Sequence, residues 1–122
     1  MKKILIIEDE QAYIKLLLDK FVPFYQIITA SNGKKGLELA IKEQPDLILL
    51  DIRLPVMDGL TMLQKLRQDQ RGKKVKVILL TNFEVDRETI KKMVEYQPVY
   101  YFVKSDITMQ DLAKTIKDTL AK

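Results

Sequence analysis

The chain has 122 residues, of which 47% are hydrophobic and 31% charged, and its net charge is +4. That length suits one domain with a buried core, and no apolar run approaches the ~20 residues that a membrane-spanning helix needs. Cysteine and histidine do not occur, which excludes disulfides, zinc–thiolate sites and catalysis by histidine. We expect a cytoplasmic protein, and we expect any metal to be held by oxygen ligands.

Five apolar, strand-like runs alternate with amphipathic helical segments. The strands are predicted at Lys3–Ile7, Gln26–Ala30, Leu47–Leu50, Lys76–Leu80 and Val99–Phe102. The first, third and fourth lack polar alternation, which is typical of strands covered by helices on both faces. The pattern predicts an α/β fold, a doubly wound five-stranded parallel sheet.

The helical segments carry apolar residues at helical spacing, which predicts the faces that pack on the sheet. Those residues are Ala12, Leu16, Leu17 and Phe21; Leu37, Ala40 and Ile41; Leu60, Leu63 and Leu66; Ile90, Met93 and Val94; and Leu112, Ile116 and Leu120. Turn-forming residues mark the ends: Pro23 closes the first helix and Asn32-Gly33 opens the second. Asp9 and Asp106 are candidate caps of the first and last helices.

Polar residues stand at the ends of four predicted strands. Glu8 and Asp9 follow the first strand, Asp51 the third, Thr81 the fourth and Lys104 the fifth. Open α/β sheets bind ligands at the carboxyl ends of their parallel strands, so we expect these side chains to meet there. Carboxylates, a lysine and a hydroxyl indicate a site for a divalent metal and a phosphoryl group, since Mg²⁺ takes one or two protein carboxylates beside phosphate oxygens.

Each of these residues also has a purely structural interpretation. Asp51 is compatible with a turn, Lys104 with a lysine extending from a strand end, and Thr81 with an ordinary structural threonine. Their coincidence at one predicted edge favours the functional interpretation. A carboxylate held against Mg²⁺ with a lysine opposite can attack phosphorus and form an acyl phosphate. The Thr81 hydroxyl and the backbone N–H of Asn82 are candidate donors to phosphate oxygens.

A modest basic cluster lies between the third helix and the fourth strand, at Arg71, Lys73, Lys74 and Lys76. No aromatic residue is interleaved with it, and no helix-turn-helix pattern remains once the sheet is assigned. We interpret it as a solvated loop, and we expect neither nucleic-acid nor membrane binding by this domain.

The chain resembles the receiver domain of bacterial-type two-component response regulators, from Lys3 to the last helix. The residues that carry the resemblance are Glu8-Asp9, the run Asp51-Ile52-Arg53-Leu54-Pro55-Val56-Met57-Asp58-Gly59, Leu80-Thr81-Asn82, and Tyr101-Phe102-Val103-Lys104. The second stretch is the most specific, because its Pro, Met, Asp and Gly stand as in the family's loop after the phosphoacceptor. The resemblance implies one receiver domain over residues 1–122, no output domain in this chain, and the flavodoxin-like strand order 2-1-3-4-5.

The resemblance also implies a phosphorylation-activated signalling switch in a two-component phosphorelay. Asp51 would accept a phosphoryl group from a histidine kinase or phosphotransfer protein. Asp9, Asp51 and the main-chain carbonyl of Arg53 would bind Mg²⁺ or Mn²⁺, with Glu8 acting through water, and Lys104 would contact the phosphate. Such a chain is not a conventional enzyme, although it would catalyse its own phosphorylation and slow dephosphorylation.

The switch implied by the resemblance couples two further residues. Thr81 would move toward the phosphate, and the Tyr101 side chain would turn inward when Thr81 moves. Strand alternation favours Tyr101 over its neighbour Tyr100 for this switching role. A downstream protein or a second copy would bind the face of the fourth helix, fifth strand and fifth helix. We expect that face to include Met93, Val94, Tyr96, Ile107, Leu112 and Lys114.

Three departures from the family pattern qualify these expectations. Ser105 stands where the family usually has proline, so the usual cis peptide after Lys104 is in doubt. Asn82 replaces a residue that is usually small, which narrows the surroundings of the phosphate. Arg53 and Phe83 flank the path of a hydrolytic water, and our hypothesis is that they slow loss of the phosphoryl group.

Two rival interpretations remain open. A phosphatase of the haloacid dehalogenase type also uses a strand-end aspartate with Mg²⁺, but it needs an acid two residues later, where this chain has Arg53. A pseudo-receiver would signal by binding alone; Ser105 leaves this alternative open, while the complete set of polar residues argues against it.

Overall fold

The computed structural model describes residues 1–82 and 84–122. Its strands are β1 (Lys3–Ile7), β2 (Gln26–Ala30), β3 (Leu47–Asp51), β4 (Lys76–Thr81) and β5 (Tyr100–Val103). Its helices are α1 (Gln11–Phe21), α2 (Gly33–Glu43), α3 (Gly59–Gln68), α4 (Arg87–Glu95) and α5 (Met109–Leu120), with a 3₁₀ turn at Lys104–Asp106. All five predicted strands are confirmed. Among the described residues we find no helix with the length and hydropathy of a membrane-spanning segment.

The five strands form one parallel sheet in the order β2-β1-β3-β4-β5, which confirms the flavodoxin-like prediction. The strand register pairs Ile7 with Leu50 and Thr81 with Val103. Asp51 pairs with Leu80. The carboxyl ends of β1, β3, β4 and β5 are therefore level, which brings the polar residues that end or follow these strands to one edge.

Two apolar cores lie on opposite faces of the sheet. The central strands β1, β3 and β4 are almost wholly buried, whereas the edge strands β2 and β5 are half-exposed. One core packs the strands against α2, α3 and α4, and the other packs them against α1 and α5. This confirms why the central strands lack polar alternation, since both of their faces are covered.

Two predicted helix caps are wrong. The N-cap of α1 is Glu10 rather than Asp9, and it makes no side-chain cap hydrogen bond. The N-cap of α5 is Thr108 rather than Asp106, because residues 104–106 form the separate 3₁₀ turn before the helix begins. The second helix begins at Asn32-Gly33 as predicted, and Asn32 caps it by accepting a hydrogen bond from the Lys35 N–H at 2.8 Å.

The buried stripe of each helix is narrower than its apolar pattern. Leu16, Ile90 and Val94 belong to the predicted apolar stripes but are exposed, which for Val94 agrees with its other predicted place on the partner surface. Met93 and Leu112 were named both in these stripes and on the partner surface. They are buried, so their place on the partner surface is wrong. A helix beside a sheet turns only part of an i, i+3, i+4 stripe toward the strands, and the sequence does not say which part.

Candidate functional site

Three carboxylates form a cluster at the carboxyl edge of the sheet. Glu8, Asp9 and Asp51 each offer an oxygen, and these oxygens lie within 4.8 Å of one another. Glu8 and Asp51 are 2% and 4% exposed, whereas Asp9 is exposed. The backbone N–H of Glu8 donates to the Ala30 carbonyl at 3.0 Å, which continues the strand ladder and fixes Glu8 in the interior. The predicted meeting of these residues is confirmed, and their oxygens are the ligand type that Mg²⁺ prefers.

The Lys104 ammonium lies inside this cluster. Its Nζ atom is 2.5 Å from Glu8 Oε1, 3.5 Å from Asp51 Oδ2 and 3.5 Å from Glu10 Oε1, and its side chain is 6% exposed. A buried charge is tolerated when it is paired and hydrogen-bonded, and these carboxylates provide the partners. The predicted pairing with Asp51 is confirmed, while the shorter contact with Glu8 was not foreseen.

Burial sets the electrostatics of the pocket. It raises the pKa of Glu8 to about 7, and the charge of Asp51 adds to this shift; hydrogen bonds from Lys104 and from the Glu10 backbone oppose it. Burial lowers the pKa of Lys104, but the hydrogen bond to Glu8 and the nearby carboxylates outweigh it and raise the pKa overall. The pocket holds more negative charge than one lysine neutralises, so it favours uptake of a proton or a cation.

The loop after β3 folds back onto Asp51. The backbone N–H of Arg53 donates to Asp51 Oδ1 at 3.3 Å, and the Gly59 N–H donates to the Ile52 carbonyl at 2.7 Å. A Cβ atom at Gly59 would lie 2.1 Å from the Asp51 carbonyl oxygen, so only glycine permits this approach. The loop thereby fixes the orientation of Asp51. Arg53 is exposed and lines, with Asp9, a cleft of about 600 Å³.

Thr81 ends β4 beside Asp51 and is 1% exposed, whereas Asn82 is exposed. Tyr101 pairs with Leu79, so Tyr101 lies on the same face of the sheet as Thr81 and packs against the core that includes Met93. The alternation predicted for β5 is therefore confirmed. Phe83, the other member of the proposed water-path pair, lies outside the described residues.

The neighbouring aromatic residues of β5 belong to the other face. Tyr100 is 38% exposed, and its ring stacks on Phe102 with the ring centroids 5.6 Å apart. Ser105 follows Lys104 in the 3₁₀ turn, and no peptide bond between described residues is cis.

Sequence reasoning missed two residues at the start of α1. Glu10 contacts Lys104, and the Tyr13 ring centroid lies 4.3 Å from Lys104 Nζ. Tyr13 comes four residues after Asp9, about one helical turn, so the spacing places it near the same end of the helix. That spacing was the only signal in the sequence. It does not reveal the contact with Lys104, because the position of this distant lysine follows only from the fold.

The sequence and the fold match a known family. The family model for the response regulator receiver domain matches residues 4–117. The chain belongs to this family. Among curated relatives, the receiver domain is 32% identical to protein PilH of Pseudomonas aeruginosa, and the match covers 99% of both chains. It is 32% identical to sporulation initiation phosphotransferase F of Bacillus subtilis, covering 84% of this chain and 82% of the relative.

Other relatives are longer proteins. The receiver domain is 43% identical over 82 residues to the DNA-binding dual master transcriptional regulator RpaA of Synechocystis, and the match covers 66% of this chain. It spans 34% of RpaA and 18% of the response regulator PleD of Caulobacter vibrioides. The chain thus corresponds to about a third or less of the length of these relatives.

Solved structures confirm the fold. A CheY-like receiver domain protein from Methanospirillum hungatei is 27% identical, with a TM-score of 0.88 and coverage of 99% of this chain and 94% of that one. The receiver domain of the sensor histidine kinase PA1611 from Pseudomonas aeruginosa has a TM-score of 0.88 at 21% identity, with coverage of 99% and 98%. That structure was crystallised with a magnesium ion in its active site cleft.

Proposed function

We propose that this receiver domain is a phosphorylation-controlled signalling switch whose phosphoacceptor is Asp51. One observation carries the proposal: the buried Asp51 carboxylate lies 3.5 Å from Lys104 Nζ and within 4.8 Å of the oxygens of Glu8 and Asp9. The carboxylate is placed between a fixed ammonium and a pair of acids suited to a cation. Phosphoryl transfer depends mainly on such positioning and charge neutralisation.

The proposed phosphoryl donor is a phosphohistidine of a histidine kinase or phosphotransfer protein. An Asp51 carboxylate oxygen forms a bond to phosphorus while the phosphorus–nitrogen bond breaks, and the leaving imidazole nitrogen keeps the electron pair and takes up a proton. The chain contains no histidine, so this donor residue has to come from another molecule. The name of the phosphotransferase relative agrees with this chemistry.

The proposed metal is Mg²⁺, with Mn²⁺ as a substitute. Asp9, Asp51 and the main-chain carbonyl of Arg53 would hold it, and Glu8 would act through water. When bound, the ion would neutralise charge on the transferring phosphoryl group. The magnesium found in the related PA1611 receiver domain supports this choice.

The chain's own donors complete the proposed phosphate site. Lys104 is already within 3.5 Å of Asp51 and offers three N–H donors. Thr81 ends the adjacent strand, so its hydroxyl would turn toward the phosphoryl oxygens, and the backbone N–H of Asn82 would supply a further donor.

The proposed output is a change in the face of α4, β5 and α5. Thr81 and Tyr101 share one side of the sheet, and α4, which is described throughout, buries only Met93. A helix with so little buried surface shifts at low cost. Exposed apolar side chains surround a groove of about 260 Å³ between α4 and β5, which suits a downstream protein or a second copy. They are Ile90, Val94, Val99 and Tyr100.

The proposal is tested by incubating the protein with Mg²⁺ and acetyl phosphate and measuring its intact mass. We expect one phosphoryl adduct on the wild type and on Asp118→Asn, which changes an exposed carboxylate on α5, and none on Asp51→Asn. An equal adduct on Asp51→Asn would place the acceptor elsewhere. The lack of any adduct on folded wild-type protein would favour a pseudo-receiver that acts by binding alone.

A further inference from the structure

Tyr13 lies at the boundary between the core and the acidic site. It is the third residue of α1, and its half-buried ring packs against the core on the α1 and α5 face of the sheet. On the side of the site, Lys104 Nζ lies over the ring, 4.3 Å from its centroid. An ammonium within about 6 Å of an aromatic centroid is attracted by the negative face of the ring. Packing against the core therefore holds the Tyr13 ring in place, and the Lys104 ammonium contacts the face of that ring.

The ring, rather than the hydroxyl, makes this contact. The Tyr13 hydroxyl is buried and has no hydrogen-bond partner among the described residues. Burial raises the pKa of Tyr13 to about 12, so the side chain stays neutral at ordinary pH. Since the hydroxyl pairs with no described group of the site, the aromatic face is what Tyr13 contributes there.

The carboxylates alone would not specify one position for the ammonium. Lysine is a compact charge on a flexible stem, and Lys104 lies within 3.5 Å of oxygens from Glu8, Glu10 and Asp51. Glu8 and Asp51 are also the groups proposed to serve the metal and the phosphoryl group. When those partners are engaged elsewhere, the aromatic face still attracts the ammonium, because it competes for neither ligand.

We propose that Tyr13 is a positioning residue for Lys104, and that its ring face holds the ammonium beside Asp51 while the carboxylate partners change. The ring contact itself does not depend on the proposed function. The effect of Tyr13 on phosphoryl acceptance does depend on the proposed function, because Lys104 would reach the phosphoryl oxygens from this position. The two statements are therefore tested by separate measurements.

The first measurement is an NMR spectrum of the Lys104 side chain in metal-free, unphosphorylated protein. Nζ lies over the ring, 4.3 Å from its centroid, and the protons on the carbon bonded to it are one bond further away. We therefore expect the resonance of these protons to be shifted upfield in the wild type and in Tyr13→Phe. We expect the shift to be lost in Tyr13→Leu, with circular dichroism showing that the fold is kept. The resonance is assigned by its disappearance in Lys104→Met. A Lys104 resonance that shows no ring shift in the wild type overturns the inference, whether or not the protein is phosphorylated.

The second measurement is the rate of phosphorylation by acetyl phosphate at fixed Mg²⁺. We expect Tyr13→Phe to react at close to the wild-type rate and Tyr13→Leu to react about 2- to 30-fold more slowly, the range typical of one cation–π contact. In the Lys104→Met background, the Tyr13→Leu change is expected to have no further effect. A loss of equal size in that background, or in Tyr13→Phe, would show that Tyr13 does not act through its ring on Lys104. If the wild type takes up no phosphoryl group, the proposed function fails and the NMR result alone decides the ring contact.

Discussion

Raising the pH from 6 to 8 is expected to strengthen Mg²⁺ binding, because Glu8 has to lose a proton before a cation can share its site. Burial raises the pKa of this carboxyl from its usual 4.5 to about 7. About nine tenths of Glu8 is then protonated at pH 6 and about one tenth at pH 8. A cation that requires the carboxylate form binds about tenfold more tightly at the higher pH.

The same shift has the opposite effect on the metal-free protein. The folded state favours protonated Glu8. The stability that this group contributes is therefore present below pH 4.5 and is lost as the pH rises through the raised pKa of about 7. Saturating Mg²⁺ is expected to offset this loss, because it stabilises the carboxylate. Thermal unfolding from pH 5 to 8, with and without Mg²⁺, measures both trends.

Isothermal titration calorimetry in two buffers of different ionisation enthalpy gives the affinity and the number of protons released together. We expect nearly one proton released per Mg²⁺ at pH 6 and few at pH 8. Glu8→Gln is the matched control, since it keeps the shape but cannot titrate, and its affinity is expected to vary little over this range. Equal affinities at pH 6 and pH 8 in the wild type, or an unchanged pH dependence in Glu8→Gln, would refute the reasoning.

Three further predictions concern the loop beside Asp51. Gly59→Ala places a Cβ atom 2.1 Å from the Asp51 carbonyl oxygen. We expect urea unfolding to show a free energy of unfolding lower by about 1–3 kcal/mol, and we expect slower phosphorylation. The control Gly36→Ala, which crowds the Ile7 side chain instead, should lower stability without slowing phosphorylation. Val56 is exposed with a φ of 69°, a left-handed backbone conformation that strains a β-branched residue. Val56→Asn is therefore expected to raise the free energy of unfolding by about 0.5–1 kcal/mol. The control is Val22→Asn, at an exposed position with φ of −53°; an equal or larger gain there would contradict backbone strain at Val56. Arg53→Ala is expected to shorten the lifetime of the phosphoryl group, followed by intact mass after removal of the donor; an unchanged lifetime in this variant and in Phe83→Ala would reject the water-path hypothesis.

The sequence predicted the position of the site well because the rule that locates it is simple. Parallel strands bring their carboxyl ends to one edge, so apolar runs ending in Glu8, Asp51 and Lys104 were sufficient to bring these residues together. The alternation of β5 likewise separated Tyr101 from Tyr100 correctly, because the two faces of a strand follow from residue parity alone.

The parts that were wrong or missed depend on the relative rotation of packed elements. Whether Leu16 or Leu17 faces the sheet is set by the rotation of α1, and a helical stripe is compatible with both. The 3₁₀ turn that displaced the α5 cap has no strong local signal. The contacts of Lys104 with Glu8 and Tyr13 join residues more than 90 positions apart, so they follow from tertiary packing and not from local pattern.

The most direct test of the account is to locate the phosphoryl group on the chain. Borohydride reduces an aspartyl phosphate to homoserine, so wild-type protein is treated with acetyl phosphate and Mg²⁺, reduced and mapped by peptide mass spectrometry. We predict homoserine at position 51, with none formed when Mg²⁺ is removed by chelation. Homoserine at position 9 or 58 in place of 51, or none in folded protein with Mg²⁺ present, would contradict the claim that Asp51 accepts the phosphoryl group.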